Sequence, residues 1–327
     1  MNRVYFIVGP TATGKSGLAA NVAARVDAEI VSADAFQIYE GFNLLTAKPD
    51  TLTLAKAPHH LIGVQPLAEE MNAERFRRAA LIAIDGIQVR GKLALIVGGS
   101  GLYVKALTHG LSELPASDRQ LREALNELSL DELRARLVKL DSETARTIDN
   151  KNRRRLVRAI EICLLSGKPV SVQRKQVVAG VGDPGSESSV PPLLANGRGL
   201  GSPTPATNGV FVFYERDELY ERINRRVEAM FKHGVVEEVA AAGRGPMSST
   251  ASKMIGLRDT QDLLDGRRSN SQCIAAIQQA TRRYAKRQLT WFRRQTNFEP
   301  LNLSLLSHDE AVEWISRRVR SFAQRDD

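Results

Sequence analysis

The chain has 327 residues, 43% of them hydrophobic and 25% charged, an ordinary balance for a folded protein with one large domain or two smaller ones. A formal net charge of +9 and an isoelectric point near 9.7 indicate a polyanionic partner, either a nucleic acid or an anionic membrane surface. Two cysteines are too few for a disulfide framework or a zinc site, so we expect a reducing, cytoplasmic setting. The N-terminus lacks an export signal and no apolar run reaches 18 residues, which argues against membrane insertion.

Strands and helices alternate over the first hundred residues. Short apolar runs predict strands at 4–8, 29–32 and 93–97, and apolar residues at helical spacing predict helices at 15–26 and 74–90. Strands that alternate with helices are joined by right-handed crossovers. The fold class is therefore α/β, with a parallel sheet that carries helices on both faces.

The pattern changes at Leu111. The stretch LSELPASDRQLREALNELSLDELRARLVKL has no strand-like run, and Ser117 and Ser129 open predicted helices. We therefore expect a helical insertion domain at 112–172 within a core made of 1–111 and 173–327. The Gly- and Pro-rich stretch 177–209 cannot form a packed core and is predicted to be a flexible loop. A last strand and an amphipathic helix follow it, and helices alone are expected after them.

Residues 9–16 read GPTATGKS, the pattern Gly-x-x-x-x-Gly-Lys-Ser, between the predicted strand 4–8 and the helix that follows. In this pattern backbone N–H groups and the helix N-terminus surround phosphate oxygens, Lys15 adds a positive charge, and the Ser16 hydroxyl suits Mg²⁺. Most loops of this type bind ATP or GTP. Nucleotide hydrolysis usually also needs an aspartate at a strand end and a residue that positions water.

The two neighbouring strand ends do not settle which phosphate is bound. The strand LALIV ends in Gly98-Gly99-Ser100-Gly101, which offers amides and a hydroxyl but no carboxylate. The strand EIVS leads to Asp34, which could hold a metal, act as a general base, or cap a helix or loop. These three alternatives stay open on position alone.

Basic side chains cluster in three predicted helices. Arg222 and Arg226 are four residues apart on the helix 219–231, with Arg225 beside them, and they form either a solvated face or forks for a diphosphate. KNRRRLVRAIE and TRRYAKRQLTWFRR carry closely spaced cations, the second with interleaved aromatic rings, a pattern that favours RNA over a solvated surface. His59-His60 has no ligand cluster around it and is interpreted as structural.

Together these stretches resemble the bacterial tRNA dimethylallyltransferases, also called tRNA isopentenyltransferases. The resemblance covers nearly the whole chain apart from the Gly/Pro/Ser-rich loop, and its most specific parts are Asp-x-x-Gln-x-Tyr and Thr-Arg-x-Tyr-Ala-Lys-Arg-Gln. The stretches that carry it are GPTATGKS, DAFQIYEGFNLLTAKP, HHLIGV, VGGSGLY, DNKNRRRLVRAIEI, ERDELYERINRRVEAMFKHGVVEEV, IGLRDTQDLLDG and TRRYAKRQLTWFRRQ.

The resemblance implies a P-loop-type core with a helical insertion that closes over tRNA. It implies transfer of a dimethylallyl group from dimethylallyl diphosphate to N6 of the adenosine 3′ of the anticodon, with Mg²⁺ as cofactor. The implied partners are tRNA and dimethylallyl diphosphate, and the protein is expected to be a cytoplasmic monomer without membrane contact.

The resemblance also assigns roles to residues. Asp34 is the expected general base, and Lys15, Ser100 and Arg222 complete the catalytic set. The expected diphosphate-binding residues are Gly9, Pro10, Thr11, Ala12, Thr13, Gly14, Lys15 and Ser16, with Mg²⁺ on Ser16. The expected tRNA-binding residues are Asp34, Ala35, Phe36, Gln37, Ser100, Arg122, Arg154, Arg155, Arg158, Lys286, Arg287 and Gln288.

The sequence departs from the family pattern at five positions, none of which removes an expected catalytic group. They are Ala35, Leu45, Gly63, Ser100 and Leu257, and they indicate a diverged member. The alternatives are an adenylate isopentenyltransferase acting on free AMP, ADP or ATP, a nucleotide-dependent RNA-binding switch or kinase, and a family member that binds tRNA without catalysis.

Overall fold

The computed structural model describes residues 3–111, 114–115, 117–173, 208–242 and 245–324. Contacts between Cα atoms divide the chain into two compact units, Met1–Gly110 with Pro192–Asp327 and Leu111–Pro191. The predicted flexible loop 177–209 falls outside the described residues except for its last two positions. No helix within the described ranges is long and apolar enough to cross a membrane.

The larger unit is built on one parallel sheet, which confirms the predicted α/β class. In the described residues the strand order is β3-β2-β4-β1-β5-β6, and every pairing is parallel. The strands are β1 Val4–Val8, β2 Ala28–Ser32, β3 His59–His60, β4 Leu93–Gly98, β5 Gly209–Phe213 and β6 Glu299–Asn302. The first, second and fourth strands agree with the predicted ones within a residue.

Helices cover both faces of this sheet. They are α1 Lys15–Val26, α2 Thr51–Leu54, α3 Ala73–Val89 and α4 Gly101–Thr108, then α9 Arg216–Lys232, α10 Val235–Ala242, α11 Leu257–Leu264, α12 Asn270–Phe292 and α13 His308–Ala323. Side chains of β1 alternate between two buried clusters: Tyr5 and Ile7 pack with α1 and α13, whereas Phe6 and Val8 pack with helices of the other face. This burial on both sides is why the strand is apolar at every position.

The prediction of helices alone after the fifth strand is wrong. Residues 299–302 form β6, an edge strand paired with β5, and Pro300 lies opposite Phe211 in it. A four-residue strand with a proline and no alternation of apolar residues has little sequence signal, and proline is tolerated there because an edge strand has an unpaired side. His59–His60 likewise forms the short strand β3 beside β2.

The smaller unit is helical, with its own buried core. It contains α5 Arg119–Glu127, α6 Leu130–Leu140, α7 Ser142–Thr147 and α8 Arg153–Ser166. Ser129 caps α6 in a full capping box with Glu132, as predicted. The predicted start at Ser117 is wrong by one residue, because Asp118 caps α5 and accepts a hydrogen bond from the backbone N–H of Leu121. Leu125, Leu133 and Leu137 are fully buried in this core.

Glu29, near the start of β2, is a buried carboxylate that binds the side chains of Arg90 and His60. Arg90 donates to both its oxygens, at 2.9 and 2.6 Å, and His60 Nε2 lies 2.7 Å from Oε2. These contacts, the Arg90 hydrogen bonds above all, lower the pKa of Glu29 to about 2. His60 therefore supports the sheet, which is the structural role interpreted for it.

A lowered carboxyl pKa stabilises the fold above the pKa of the unfolded chain, and the stabilisation is lost as the pH falls towards the folded value. We expect Glu29→Gln to lower the free energy of unfolding by about 2 kcal/mol at pH 6, after allowance for the half-exposed Arg90. The difference from the wild type should shrink between pH 4.5 and 2, as urea titrations at several pH values would measure. Asp27→Asn, which removes an exposed pair with Lys92, is the control and should cost little at any pH. A constant deficit for Glu29→Gln would contradict the assignment.

Candidate active site

Three strand ends meet at the carboxyl edge of the sheet. Since β4 lies between β1 and β2, the segments that leave these strands are neighbours. The backbone N–H of Gly9 donates to Gly98 O at 3.2 Å, and that of Ser100 donates to Ala33 O at 3.3 Å. The phosphate-loop sequence, the Gly98–Ser100 turn and Asp34 are therefore brought together, as parallel topology requires.

The loop 9–16 has the backbone turns that its sequence predicts. Gly14 has φ 75°, where glycine is favoured, and Ala12 adopts a similar left-handed φ of 67° despite its Cβ. The hydroxyl of Thr13 and the ammonium of Lys15 both donate to Pro10 O, each at 3.0 Å. The loop leads directly into the 12-residue helix α1, whose N-terminus faces the same space and favours an anion.

The buried side chain of Gln288, on α12, joins this loop to the end of β4. Its Oε1 accepts from the backbone N–H of Thr11 at 2.9 Å, and its Nε2 donates to Gly99 O at 2.8 Å. A side chain at Gly99 would clash, since an added Cβ would lie 2.4 Å from that amide nitrogen. A tRNA contact by Gln288 stays a prediction, and the role that its amide has in the structure is to hold the loop.

Two arginines of α9 reach the loop from the same side. Arg222 Nε donates to Ala12 O at 3.0 Å while its guanidinium lies 4.2 Å from the centre of the Tyr214 ring. A guanidinium nitrogen of Arg226 donates to the Thr11 hydroxyl at 2.8 Å. Its Nε is buried with no hydrogen-bond partner among the described residues, and burial lowers the pKa of Arg226 to about 10.

For Arg226 the sequence left two alternatives open, a solvated face or a fork for a diphosphate. Its spacing of four from Arg222 placed it on the same helix face, but this face could equally have been solvated. The unpartnered, buried Nε in the structure is the signal that spacing alone lacked, because a buried guanidinium donor without an acceptor is costly unless a ligand supplies one.

Asp34 uses one of its two carboxylate oxygens to shape the turn after β2. Oδ1 accepts from the backbone N–H groups of Phe36 at 2.9 Å and Gln37 at 3.3 Å. Within the described residues Oδ2 accepts no hydrogen bond. Burial lowers the pKa of both Lys15 and Arg226, and the charge of Asp34 offsets part of that lowering, so the carboxylate is close enough to act electrostatically on the two cations.

Ser100 and Tyr284 complete the polar lining beside Asp34. The Ser100 hydroxyl accepts from the backbone N–H of Ala35 at 2.9 Å, and the Tyr284 phenol lies near the same hydroxyl. Burial, and secondly the charge of Asp34, raise the pKa of the Tyr284 phenol, which stays protonated and can donate. The sequence showed Tyr284 only as an aromatic residue among cations, since nothing local indicates that it lies near Ser100.

In the larger unit, most of the residues expected to contact tRNA have side chains that are at least partly accessible to solvent. Ala35 and Phe36 are half-buried against the main core, and Gln37 donates through Nε2 to Ala47 O at 2.8 Å. Lys286 and Arg287 are exposed on α12, and the Arg287 guanidinium lies 5.7 Å from the centre of the Tyr284 ring.

In the smaller unit, two of the four expected tRNA-contacting arginines are held by a buried carboxylate. Glu161 accepts from Arg122 Nε at 2.9 Å and from Arg158 at 2.6 Å, and its side chain has no exposed surface. Arg154 and Arg155 are exposed near the start of α8. The structure therefore divides these arginines into a fixed pair and a solvent-facing pair.

Among the described residues no three His, Cys, Asp or Glu side chains converge as a metal cluster. The ligand that the loop itself offers to Mg²⁺ is the partly buried Ser16 hydroxyl in the first turn of α1. One hydroxyl fits an ion that takes its other ligands from phosphate oxygens and water, as Mg²⁺ commonly does.

Comparisons with known proteins agree with one another. The family model described as IPP transferase matches residues 37–295. The chain is 39% identical over 290 residues to the tRNA dimethylallyltransferase of Akkermansia muciniphila, spanning 89% of this chain and 90% of that protein. It is 39% identical over 327 residues to the tRNA dimethylallyltransferase 1 of Pelobacter propionicus, spanning 98% and 97%.

Two solved structures are similar over most of the chain. The Bacillus halodurans tRNA isopentenylpyrophosphate transferase aligns with a TM-score of 0.68 and 30% identity, spanning 100% of this chain and 99% of that one. A eukaryotic dimethylallyltransferase acting on tRNA aligns with a TM-score of 0.71, spanning 91% and 73%; at 23% identity it supports the fold alone.

Burial lowers the pKa of Lys15 to about 8, partly offset by Asp34. Because only the protonated form attracts an anion, we expect the dissociation constant for inorganic diphosphate to rise as the pH is taken above about 8, by up to about tenfold per unit. Calorimetric titration between pH 7 and 9.5 measures this. Lys15→Met should bind more weakly but without this rise, and the ionisation of the ligand is common to both proteins. Parallel pH profiles for the two proteins would rule out the assignment.

Proposed function

The chain belongs to the IPP transferase family of tRNA dimethylallyltransferases, and from this membership we propose its reaction. The enzyme transfers a dimethylallyl group from dimethylallyl diphosphate to N6 of the adenosine 3′ of the anticodon in tRNA, releasing diphosphate. One observation carries this proposal: Asp34, whose Oδ2 accepts no hydrogen bond from the described residues, follows a strand that ends beside the phosphate loop, and its charge acts on Lys15 of that loop and on Arg226 of α9. This arrangement suits a proton acceptor placed beside a leaving diphosphate.

The leaving group is stabilised by the loop and by cations from two helices. As the bond to the allylic carbon breaks, negative charge grows on the diphosphate oxygens, and groups already aimed at it lower the barrier. The donors proposed around this position are the backbone N–H groups of residues 12–16 and the Lys15 ammonium, since the N–H groups of Gly9 and Thr11 are bound within the protein, and Arg222 and Arg226 approach from α9. The unpartnered Nε of Arg226 is a donor that an oxygen of the diphosphate would satisfy.

Asp34 is proposed as the general base. An adenine amine is a weak nucleophile, so its proton must leave as the new carbon–nitrogen bond forms, and Oδ2 of Asp34 can accept it. Oδ1 stays bound to the turn at Phe36 and Gln37, which fixes the direction of the carboxylate. Ser100 and Tyr284 place hydroxyl groups on the same side, where they can orient the reacting groups.

The Ser16 hydroxyl is proposed as the protein group that would hold Mg²⁺, and the bound ion would supply further charge neutralisation on the leaving group. The proposed contacts with the tRNA backbone phosphates are the exposed residues Lys286 and Arg287 on the larger unit and Arg154 and Arg155 on the smaller one.

We also propose that the protein is a cytoplasmic monomer. Both cysteines, Cys163 and Cys273, are buried and unpaired, which is compatible with a reducing compartment.

The proposed reaction is tested with Mg²⁺, labelled dimethylallyl diphosphate and two competing acceptors. One is an unmodified tRNA transcript with adenosine 3′ of the anticodon, and the other is free AMP. Label on N6 of that adenosine after digestion supports the proposal. Label on AMP alone would make the protein an adenylate isopentenyltransferase, and absence of label from both would return the loop to a nucleotide-binding role.

We expect Asp34→Asn to lower the rate of transfer by about 10² to 10⁴-fold, because the amide cannot accept the proton. Its remaining oxygen still accepts from Phe36 and Gln37, so the turn and the affinities for tRNA and dimethylallyl diphosphate should be kept. Single-turnover transfer and separate binding titrations measure the two effects. Full activity in this variant would exclude Asp34 as the base.

We expect Lys286→Ala to weaken tRNA binding and to reduce the slope of log affinity against log salt by about 0.7 to 0.9, the share of one phosphate contact. Filter binding over a range of salt concentrations measures the slope. Lys92→Ala is the matched control, because Lys92 precedes β4 at the opposite edge of the sheet and pairs with Asp27 at 2.8 Å. Equal slopes for the wild type and Lys286→Ala would argue against a phosphate contact there.

A further inference from the structure

Glu238 on α10 clamps a loop that the proposed mechanism does not use. Its two carboxylate oxygens accept from consecutive backbone N–H groups, Leu44 at 2.8 Å and Leu45 at 2.9 Å. Hydrogen bonds to a carboxylate are stronger than those between neutral groups, and two of them fix the direction of the peptide pair as well as its position. The residues that bond are nearly two hundred positions apart in the chain.

The clamped loop, residues 42–48, has a strained backbone. Phe42 and Ala47 have φ values of 46° and 51°, in the left-handed region that side chains with a Cβ rarely adopt. The Thr46 hydroxyl donates to Phe42 O at 2.7 Å. Lys48 also stabilises the loop, because its ammonium donates to Gly41 O and to Asn43 Oδ1. The ammonium also interacts electrostatically with Glu238. Such a conformation persists only where neighbouring contacts hold it.

This loop in turn holds the side chain of Gln37. Gln37 Nε2 donates to Ala47 O at 2.8 Å, and more weakly to Thr46 O at 3.4 Å. Because these acceptors face the NH₂ end of the amide, its Oε1 points away from the loop, and within the described residues it accepts no hydrogen bond. The backbone N–H of Gln37 donates to Asp34 Oδ1, so the oriented amide and the proposed base belong to the same turn.

We propose that Glu238 is a positioning residue for the target adenosine, acting through the loop 42–48 on the amide of Gln37. An amide oxygen can accept from the exocyclic amine of adenine, whereas the NH₂ end turned the same way would oppose it. Glu238 thus determines which end of the Gln37 amide faces the adenine ring of the target nucleoside. This inference rests on the proposed function, since it concerns the nucleoside that the enzyme is proposed to modify.

The test compares Glu238→Gln with Glu237→Gln, its exposed neighbour on the same helix. Glu238→Gln keeps the size of the side chain but turns one acceptor into a donor that faces an amide N–H. We expect kcat/KM for tRNA to fall about tenfold, with the dissociation constant for dimethylallyl diphosphate unchanged. Glu237→Gln should match the wild type in both. A fall in diphosphate affinity equal to the loss in kcat/KM would indicate general damage and overturn the proposal.

A double-mutant cycle separates positioning from a purely structural contribution. If Glu238 acts through Gln37, Glu238→Gln should change kcat/KM by less than about twofold once Gln37→Ala is present. Independent, multiplying losses would overturn the proposal. Should Glu238→Gln lose its cooperative thermal transition, Glu238→Asp replaces it in the cycle, since the shorter carboxylate keeps its charge but withdraws from the two amides.

The same cycle distinguishes failure of this inference from failure of the proposed function. If the wild-type enzyme labels no adenosine in tRNA, the proposed function fails and this inference fails with it. A wild-type enzyme that labels tRNA, with a clear loss in Gln37→Ala and none in Glu238→Gln, removes the inference alone.

Discussion

The two hydrogen bonds of the Gln288 amide are the interaction on which the candidate site depends. They connect Thr11 of the phosphate loop to Gly99 in the turn after β4, one step beyond the backbone hydrogen bond that joins Gly9 to Gly98 at the edge of the sheet. A loop that binds anions through backbone amides needs those amides to be fixed before the ligand arrives, because reorganisation would cost part of the binding energy. Gln288 supplies this from a helix at the far end of the chain, which makes α12 part of the site as well as part of the core.

Local chemistry explains what could be predicted from the sequence. The phosphate loop, the strand before it and the helix after it lie within 23 residues, and each has its own pattern, so the loop, α1 and the central strands were foreseeable. The approximate place of Asp34 was also foreseeable, because parallel strands end at a common edge. Its three alternative roles were not resolved from position; in the structure one oxygen caps a turn, and the other accepts no hydrogen bond from the part of the chain that is described.

Contacts between residues that are distant in the chain explain which parts of the site could not be predicted from the sequence. The contact of Arg226 with Thr11 spans 215 residues, and Tyr284 likewise lies near Ser100, which is distant in the chain. Sequence showed both side chains among basic or aromatic neighbours, where solvent exposure was as good an explanation. Arg122 and Arg158 show the opposite case: the family resemblance led us to expect both to contact tRNA, but each is paired with Glu161, a buried carboxylate that would be costly without these cations. Whether a basic or aromatic side chain is buried in the site, paired with a carboxylate or exposed to solvent depends on where its contact residue lies in the fold, and no local sequence pattern encodes that position.

The two outer strands of the sheet have a consequence for self-association. β3 has two residues, and β6 has four, one of which is Pro300, a residue without a backbone N–H. An extended strand from a second molecule adds to a sheet by pairing along a row of free donors and acceptors, and short or proline-containing margins give it little to bind. The buried, apolar strands between them would be prone to such pairing if they stood at the margin. By ending the sheet this way, the fold keeps a highly basic protein from extending its sheet into a neighbouring copy, whatever polyanion gathers the molecules together.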